Sequence, residues 1–294
     1  MDQNNGATAG TLYVVATPIG NLEDMTFRAV RVLKEVDAIA AEDTRHTGQL
    51  LKHFHIQTPQ ISCHQHNETR RIPELLEKLR QGQAIALVSD AGTPGISDPG
   101  VPLISACIAA GIPVVPVPGA CAAISALVAS GISLTRFSFE GFLPVKGKER
   151  RNALEQLAQD SRTVVLYEAP HRLVATLTDL AAAVGENRRV AIARELTKRY
   201  EAVWRGSLAD SVTEWSYADE YGLTLKGEFV LVLEGAIACE KAAISDDQLL
   251  EELQQLIDQG VSKSRASRQL AQDHGLSKRQ VYDLSLQLGD ASSP

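Results

Sequence analysis

The chain has 294 residues, of which 44% are hydrophobic and 22% charged, ordinary proportions for a globular protein long enough to hold two domains. No apolar run approaches the roughly 20 residues that span a bilayer, and the opening "MDQNNGATAG" lacks the basic start and apolar middle of a secretory signal, so a cytoplasmic protein with a loose tail over residues 1–10 is expected. The formal charge of −7 argues against wholesale electrostatic binding of nucleic acid, because neutralising phosphates needs local lysine and arginine.

Short β-branched runs alternate with longer amphipathic stretches from the start of the chain. "TLYVVA" precedes a helical pattern over Thr26 to Val36, "AIAL" precedes Val101 to Ala110, and "PVVPV" precedes Ala120 to Ser130. Such alternation predicts βαβ units on a largely parallel sheet, an α/β domain over residues 11–133. After the Gly- and Lys-bearing stretch Leu143 to Lys148, a linker or exposed loop, the alternation resumes with "TVVLYE", "RVAIARE", "YEAVWRG" and "EFVLVLEG". The last two lie close enough to pair antiparallel, which predicts a second α/β domain with a mixed sheet over residues 137–235.

From Ile244 the strand signal ends and three helical patterns follow, "DDQLLEELQQLIDQ", "KSRASRQLAQDH" and "SKRQVYDLSLQL". Gly275 reads as a helix stop and Ser277 as the next N-cap, giving helix-turn-helix spacing in a helical domain over residues 244–288, with a disordered tail at 289–294. Val261 to Gln280 holds five basic residues and one acid, the reverse of the chain average. Arg265, Arg268, Lys278 and Arg279 are therefore candidate contacts to RNA phosphates, against the plainer reading of a solvated helical face.

Metal and disulfide chemistry find little support. Cys63, Cys107, Cys121 and Cys239 stand singly, without a C-x-x-C pair or nearby histidines at ligand spacing. His64 and His66 would share a face only if their segment were a strand, and polar residues at a strand end account for them better.

The loop "VSDAGTPGISDPG", Val88 to Gly100, follows a strand and carries Asp90 and Asp98 but no lysine or arginine. It is no phosphate cradle of the P-loop kind. A strand's carboxyl end is where open α/β sheets bind ligands, and a carboxylate there favours a cationic or hydroxylated ligand. A turn-rich connection in which Asp98 and Pro99 start the next helix explains the residues about as well. "ATPIGNLEDMT" and "PVPGACAAISAL" are two further strand-end loops of the same type, and three of them in one domain suggest one shared pocket.

The ordered set "TPIGNLEDMT", "AEDTRHT", "SDAGTPGISDPG", "VPGACAAISAL", "FEGFLP", "YEAPHR", "ARELTK" and "KGEFVLVLEG" resembles the tetrapyrrole methylase superfamily, and within it the branch that methylates ribosomal RNA. The resemblance runs from about Leu12 to Gly235 and extends to the helical tail. It implies two α/β domains of the class III methyltransferase type, S-adenosylmethionine bound between them, a homodimer, no metal and no membrane. The implied reaction is 2′-O-methylation of a cytidine ribose in the decoding region of 16S rRNA. By the same resemblance the donor is held by Pro18, Ile19, Gly92, Thr93, Ile96, Cys121 and Ala122, with Tyr167, Ala193 and Gly227 closing over the adenine. Thr93 departs from the family's common "GDP" spelling, which leaves its role open.

Methyl transfer to a ribose hydroxyl needs in-line approach and help in removing a weakly acidic proton. "AEDTRHT" offers Glu42, Asp43, Arg45 and His46; "ARELTK" offers Glu195 and Lys198; "YEAPHR" offers Glu168, His171 and Arg172. Asp43 with Arg45 is the favoured catalytic pair, followed by Glu195 and Lys198, with salt bridges and helix caps as the alternative role for each. Methylation of a tetrapyrrole precursor, or RNA binding with a vestigial donor site, are the rival readings.

Overall fold

Four-residue apolar segments form the middle of the first sheet: β1 (Leu12–Val15), β2 (Ala38–Ala41) and β4 (Ile85–Val88) are buried along their whole length. Strands covered on both faces need such unbroken apolar runs. The computed structural model describes residues 6–218, 220–236, 245–274 and 276–288. With β3 (Gln60–Ser62) and β5 (Val114–Val117) at the edges, the sheet is parallel in the order β3-β2-β4-β1-β5. On one face, α1 (Phe27–Glu35) and α2 (Thr44–His53) pack through Val32, Leu33 and Leu51; on the other, α3 (Glu68–Arg80) and α4 (Val101–Ala109) pack through Leu75, Leu79, Leu103 and Cys107. Thr26 caps α1 by accepting from the Ala29 N–H, and the buried triplet Ala29, Val32 and Leu33 has helical spacing.

The second sheet runs β6-β7-β10-β8-β9, from β6 (Phe137–Phe142), β7 (Thr163–Glu168), β8 (Arg189–Arg194), β9 (Ala202–Ser207) and β10 (Phe229–Leu233). Only the β6 and β7 pair is parallel, so the sheet is mixed. The expected pairing of "YEAVWRG" with "EFVLVLEG" is corrected: β8 lies between β9 and β10. All five residues of β10 are buried, which demands a partner on each side, whereas β9 is only half-buried and suits an edge. One face of this sheet is covered by α6 (Gly147–Gln159), α7 (Leu173–Val184) and α8 (Leu208–Ser216). Its other face is covered by α5 (Ala122–Ala129), the helix that follows β5 of the first sheet. Both sheets accordingly lie in one compact unit that ends at Ala236.

Leu143 to Lys148, expected as a linker, is fastened to the second sheet's helical layer. Arg172 donates to the Leu143 carbonyl at 2.7 Å and Arg150 to that of Pro144 at 2.9 Å. The tail expected over residues 1–10 is tied down in part, since the backbone N–H groups of Ala7, Thr8 and Gly10 reach Glu35, the Tyr13 hydroxyl and the Gly82 carbonyl. His64 lies outside β3 in a turn, so the two histidines do not share a strand face.

The second unit holds α9 (Asp246–Asp258), α10 (Lys263–His274) and α11 (Lys278–Ser285), joined by a small core of Leu249, Leu253, Ala266, Leu270 and Val281. Ser277 caps α11 by accepting from the Gln280 N–H, as its place in the sequence predicts. Cys239, the proposed helix stop Gly275 and the proposed tail 289–294 lie outside the described residues. Among the described residues no helix is long and apolar enough to cross a membrane, and no three His, Cys, Asp or Glu side chains gather as a metal site.

Candidate active site

Three loops at the carboxyl ends of β1, β4 and β5 are bonded into one wall. Thr17 and Gly92 exchange backbone hydrogen bonds at 2.8 and 3.0 Å, which joins the first loop to the second. The Thr93 hydroxyl donates to the Ala120 carbonyl at 3.1 Å and joins the second to the third. Gly92 has φ +80°, a left-handed conformation costly for any other residue, and an added Cβ would press on the Ile19 side chain at 3.3 Å. Against this wall stands the end of the second sheet, enclosing a cavity of about 290 Å³. Tyr167 crosses from β7 to accept the Ala123 N–H at 3.2 Å, satisfying a free donor at the start of α5. Its ring meets Phe139 and Phe142 edge to face, and burial pushes its hydroxyl pKa up to about 12.

Eight of the ten residues expected around a donor line this cavity. Ile19, Gly92, Thr93 and Ile96 come from the first two loops, Cys121 and Ala122 from the start of α5, and Tyr167 and Gly227 from the second sheet. Two expectations are corrected. Pro18 is buried beneath the loop, because the Thr17 and Gly92 bridge draws the chain inward there. Ala193 lies in the layer between β8 and α5, paired with Val230. Sequence reasoning missed Phe142 and Glu228 as lining residues and weighed Asp98 as part of a helix start. Asp98 lines the cavity, while α4 is capped by Gly100 without a side-chain bond.

The catalytic candidates are held in ion pairs. Asp43 caps α2 by accepting from the Arg45 N–H at 2.8 Å and receives that residue's guanidinium at 3.2 and 2.8 Å. The guanidinium first, and the helix N–H next, hold the Asp43 carboxyl well below the usual aspartate range. A carboxylate so placed is a weak proton acceptor; it orients Arg45, whose side chain is 88% exposed. Lys198 bonds Glu195 at 2.9 Å and Glu228 at 2.7 Å. Burial alone would lower the Lys198 pKa, but the two carboxylates outweigh it and raise the value. Glu168 is buried, accepts the Thr176 hydroxyl at 2.6 Å and pairs with Arg172 at 3.3 Å. These groups fasten the site. In the second unit, Arg265 and Arg268 on α10 and Lys278 and Arg279 on α11 are all exposed.

Residues 11–211 match the family model described as Tetrapyrrole (Corrin/Porphyrin) Methylases. A protein named ribosomal RNA small subunit methyltransferase I from Synechocystis sp. is 56% identical over 279 residues, spanning 95% of this chain and 98% of its own. Its namesake from Pasteurella multocida is 48% identical over 278 residues, spanning 95% and 97%. The crystal structure of uroporphyrin-III C-methyltransferase from Thermus thermophilus complexed with S-adenyl homocysteine matches with a TM-score of 0.51 at 18% identity, over 77% of this chain and 98% of that one. That last likeness is one of fold.

Proposed function

The chain belongs to the tetrapyrrole methylase family, methyltransferases that use S-adenosylmethionine, and from that premise we propose that it methylates a ribose 2′-hydroxyl of 16S rRNA, at a cytidine of the decoding region. The observation that carries the reading is the cavity between the strand-end loops and the second sheet, lined by eight residues of the donor-binding pattern. Its chemistry fits the donor. Apolar walls from Ile19, Ile96 and Phe142 suit an adenine and an aliphatic chain, the Gly92 backbone admits close approach, and the acid Asp98 suits a cation. When bound, the donor supplies an electrophilic methyl on a sulfonium. The chain's residues hold it, exclude water and present it to the hydroxyl.

RNA substrates, rather than a tetrapyrrole or a vestigial site, are favoured by the near full-length likeness to proteins named for ribosomal RNA and by the exposed cations of α10 and α11. Radiolabelled methyl transfer to small ribosomal subunits, compared with a tetrapyrrole acceptor, tests the reading; label entering only the tetrapyrrole, or neither acceptor, overturns it. The helical domain 244–288 serves as the grip on RNA, beside α/β domains over 11–133 and 137–235. Replacing Arg265, Arg268, Lys278 and Arg279 together with alanine should lower RNA affinity and reduce the salt slope by up to about 0.7 for each phosphate no longer neutralised, with donor affinity intact. An unchanged slope would remove the tail from the interface.

The reading extends to a cytoplasmic homodimer. Ile108 of α4 and Val128 of α5 are 64% and 67% exposed, and Val101 and Ile124 on the same two helices are about half-exposed, a run of apolar side chains beside edge strand β5. A sedimentation mass of one chain at micromolar concentration would reject the dimer.

A further inference from the structure

The cavity contains one acid that the ion pairs leave aside. Glu168, Glu195, Glu228 and Asp43 are each committed to a cation, and Asp90 and Glu42 to each other's loops, Asp90 accepting the Asp43 N–H at 3.0 Å and Glu42 the Asp90 N–H at 3.2 Å. Asp98 lines the cavity, and among the described residues no cation pairs with it. The Ser89 hydroxyl bonds it. It caps no helix, since Gly100 holds that place before α4.

The backbone aims it. Ser97, the residue before, has φ +63°, a left-handed conformation that a serine adopts only at a cost of about 1–3 kcal/mol unless its surroundings fix it. What fixes it is the second sheet: at the β6 bulge, Gly141 leaves so little room that an added Cβ would lie 3.1 Å from Ser97 Oγ. The strained turn is thus braced from across the cavity, and the next side chain faces the donor space. Strain held beside a cavity is a common mark of a functional position.

We propose that Asp98 takes up the proton leaving the acceptor ribose hydroxyl during methyl transfer. The assignment rests on the methyl-transfer reading above. The hydroxyl oxygen forms its bond to the methyl carbon as the carbon–sulfur bond breaks. That bond's electron pair stays on sulfur and neutralises the sulfonium, and the hydroxyl proton passes to the Asp98 carboxylate. The groups acting on Asp98 are Glu42 beyond β2, Ser89 and Asp90 beyond β4, and Glu228 before β10; Tyr167 of β7 senses it in turn. Burial first, and Glu42 next, raise the Asp98 pKa to about 6. At neutral pH the group is therefore mostly ionised yet holds a proton more readily than an ordinary aspartate.

The test is single-turnover methyl transfer to small ribosomal subunits from pH 5 to 9, with the donor Kd measured by calorimetry on the same samples. In the wild type, the rate should rise along an acid limb at or below about pH 6, because the donor's cation lowers the pKa of its neighbour. Asp98→Asn should reduce the rate by about 10²–10⁴-fold, abolish that limb and leave the donor Kd unchanged. Asp98→Ser removes the acceptor by another route and is read in the same way. Turnover within a few fold of wild type, or a limb that survives, overturns the assignment. Donor affinity falling in step with the rate also overturns it, making Asp98 an anchor for the donor's ammonium. Failure of the wild-type chain itself to label the subunits overturns the methyl-transfer reading, and the assignment with it.

Discussion

Two turns of the first sheet each carry an aspartate to the same end of the molecule, and their surroundings give the two acids opposite character. In the turn after β2, Asp43 meets a helix N-terminus and a guanidinium, and its charge is stabilised twice over. In the turn after β4, Asp98 meets an enclosed cavity and a neighbouring glutamate, and its charge is opposed twice over. Residue type and loop composition are alike; partner and burial differ. An acid fully paired in the resting protein orients its neighbours, whereas one held without a cation keeps proton affinity for a reaction.

Glu168, a third acid that is both buried and paired, puts this contrast under the greatest strain. Glu168→Ala leaves Arg172 without its carboxylate and Thr176 without its acceptor, and should cost about 3 kcal/mol, as removal of one partner of a buried pair does. Chemical denaturation would show this as a lowered midpoint at unchanged slope; a midpoint within error of wild type would mean that pairing here is not what holds the layer.

Asp98 should respond with the opposite sign. Its folded pKa is raised, so between about pH 4 and 6 the folded state binds more protons than the unfolded one, and stability falls as pH rises through that window. Asp98→Asn removes the cost. After allowance for solvent screening, its melting temperature at pH 8 should exceed wild type by roughly 2–4 °C, the shift that about 1 kcal/mol produces in a unit of this size. The gap should close by pH 4, and a gap that persists there would show that the charge is not its source.

Asp43 gives the smallest effect. Its folded pKa is lowered, so its contribution is present above the ordinary aspartate range and fades as pH falls below it. Asp43→Asn retains capping ability and loses the ion pair, so a thermal scan at pH 7 should move little, while the difference from wild type should disappear in acid. A methyl-transfer loss as large as that of Asp98→Asn would erase the contrast between the two turns.

Much of this arrangement is legible in the sequence because it rests on local chemistry. Buried parallel strands need apolar runs such as "LYVV" and "AIAA", and ligand loops at strand ends need glycine and proline, so the sheet and eight lining residues follow from pattern and resemblance. What stays hidden depends on partners distant in the chain. The neighbours of β10 are set by its complete burial, not by its closeness to β9. The segment "AAISALVA" of α5 has small or apolar residues on every side, so no stripe shows which sheet it covers. Asp98 and Asp43 are indistinguishable until their partners are known. Pro18 and Ala193 share the motifs of true lining residues but face away by the geometry of a bridge and a pleat.

The placement of α5 bears on how the protein comes apart. This helix continues from the first sheet, lies on the second, and has its first turn secured by Tyr167. Swinging the sheets apart like a hinge would peel Ala126 and Leu127 away from Val165 and Val232 and wet both surfaces. Neither sheet keeps a finished core without that helix. Donor exchange must then proceed through the cavity mouth with the sheets closed, and loss of either sheet should carry the other with it in a single cooperative transition.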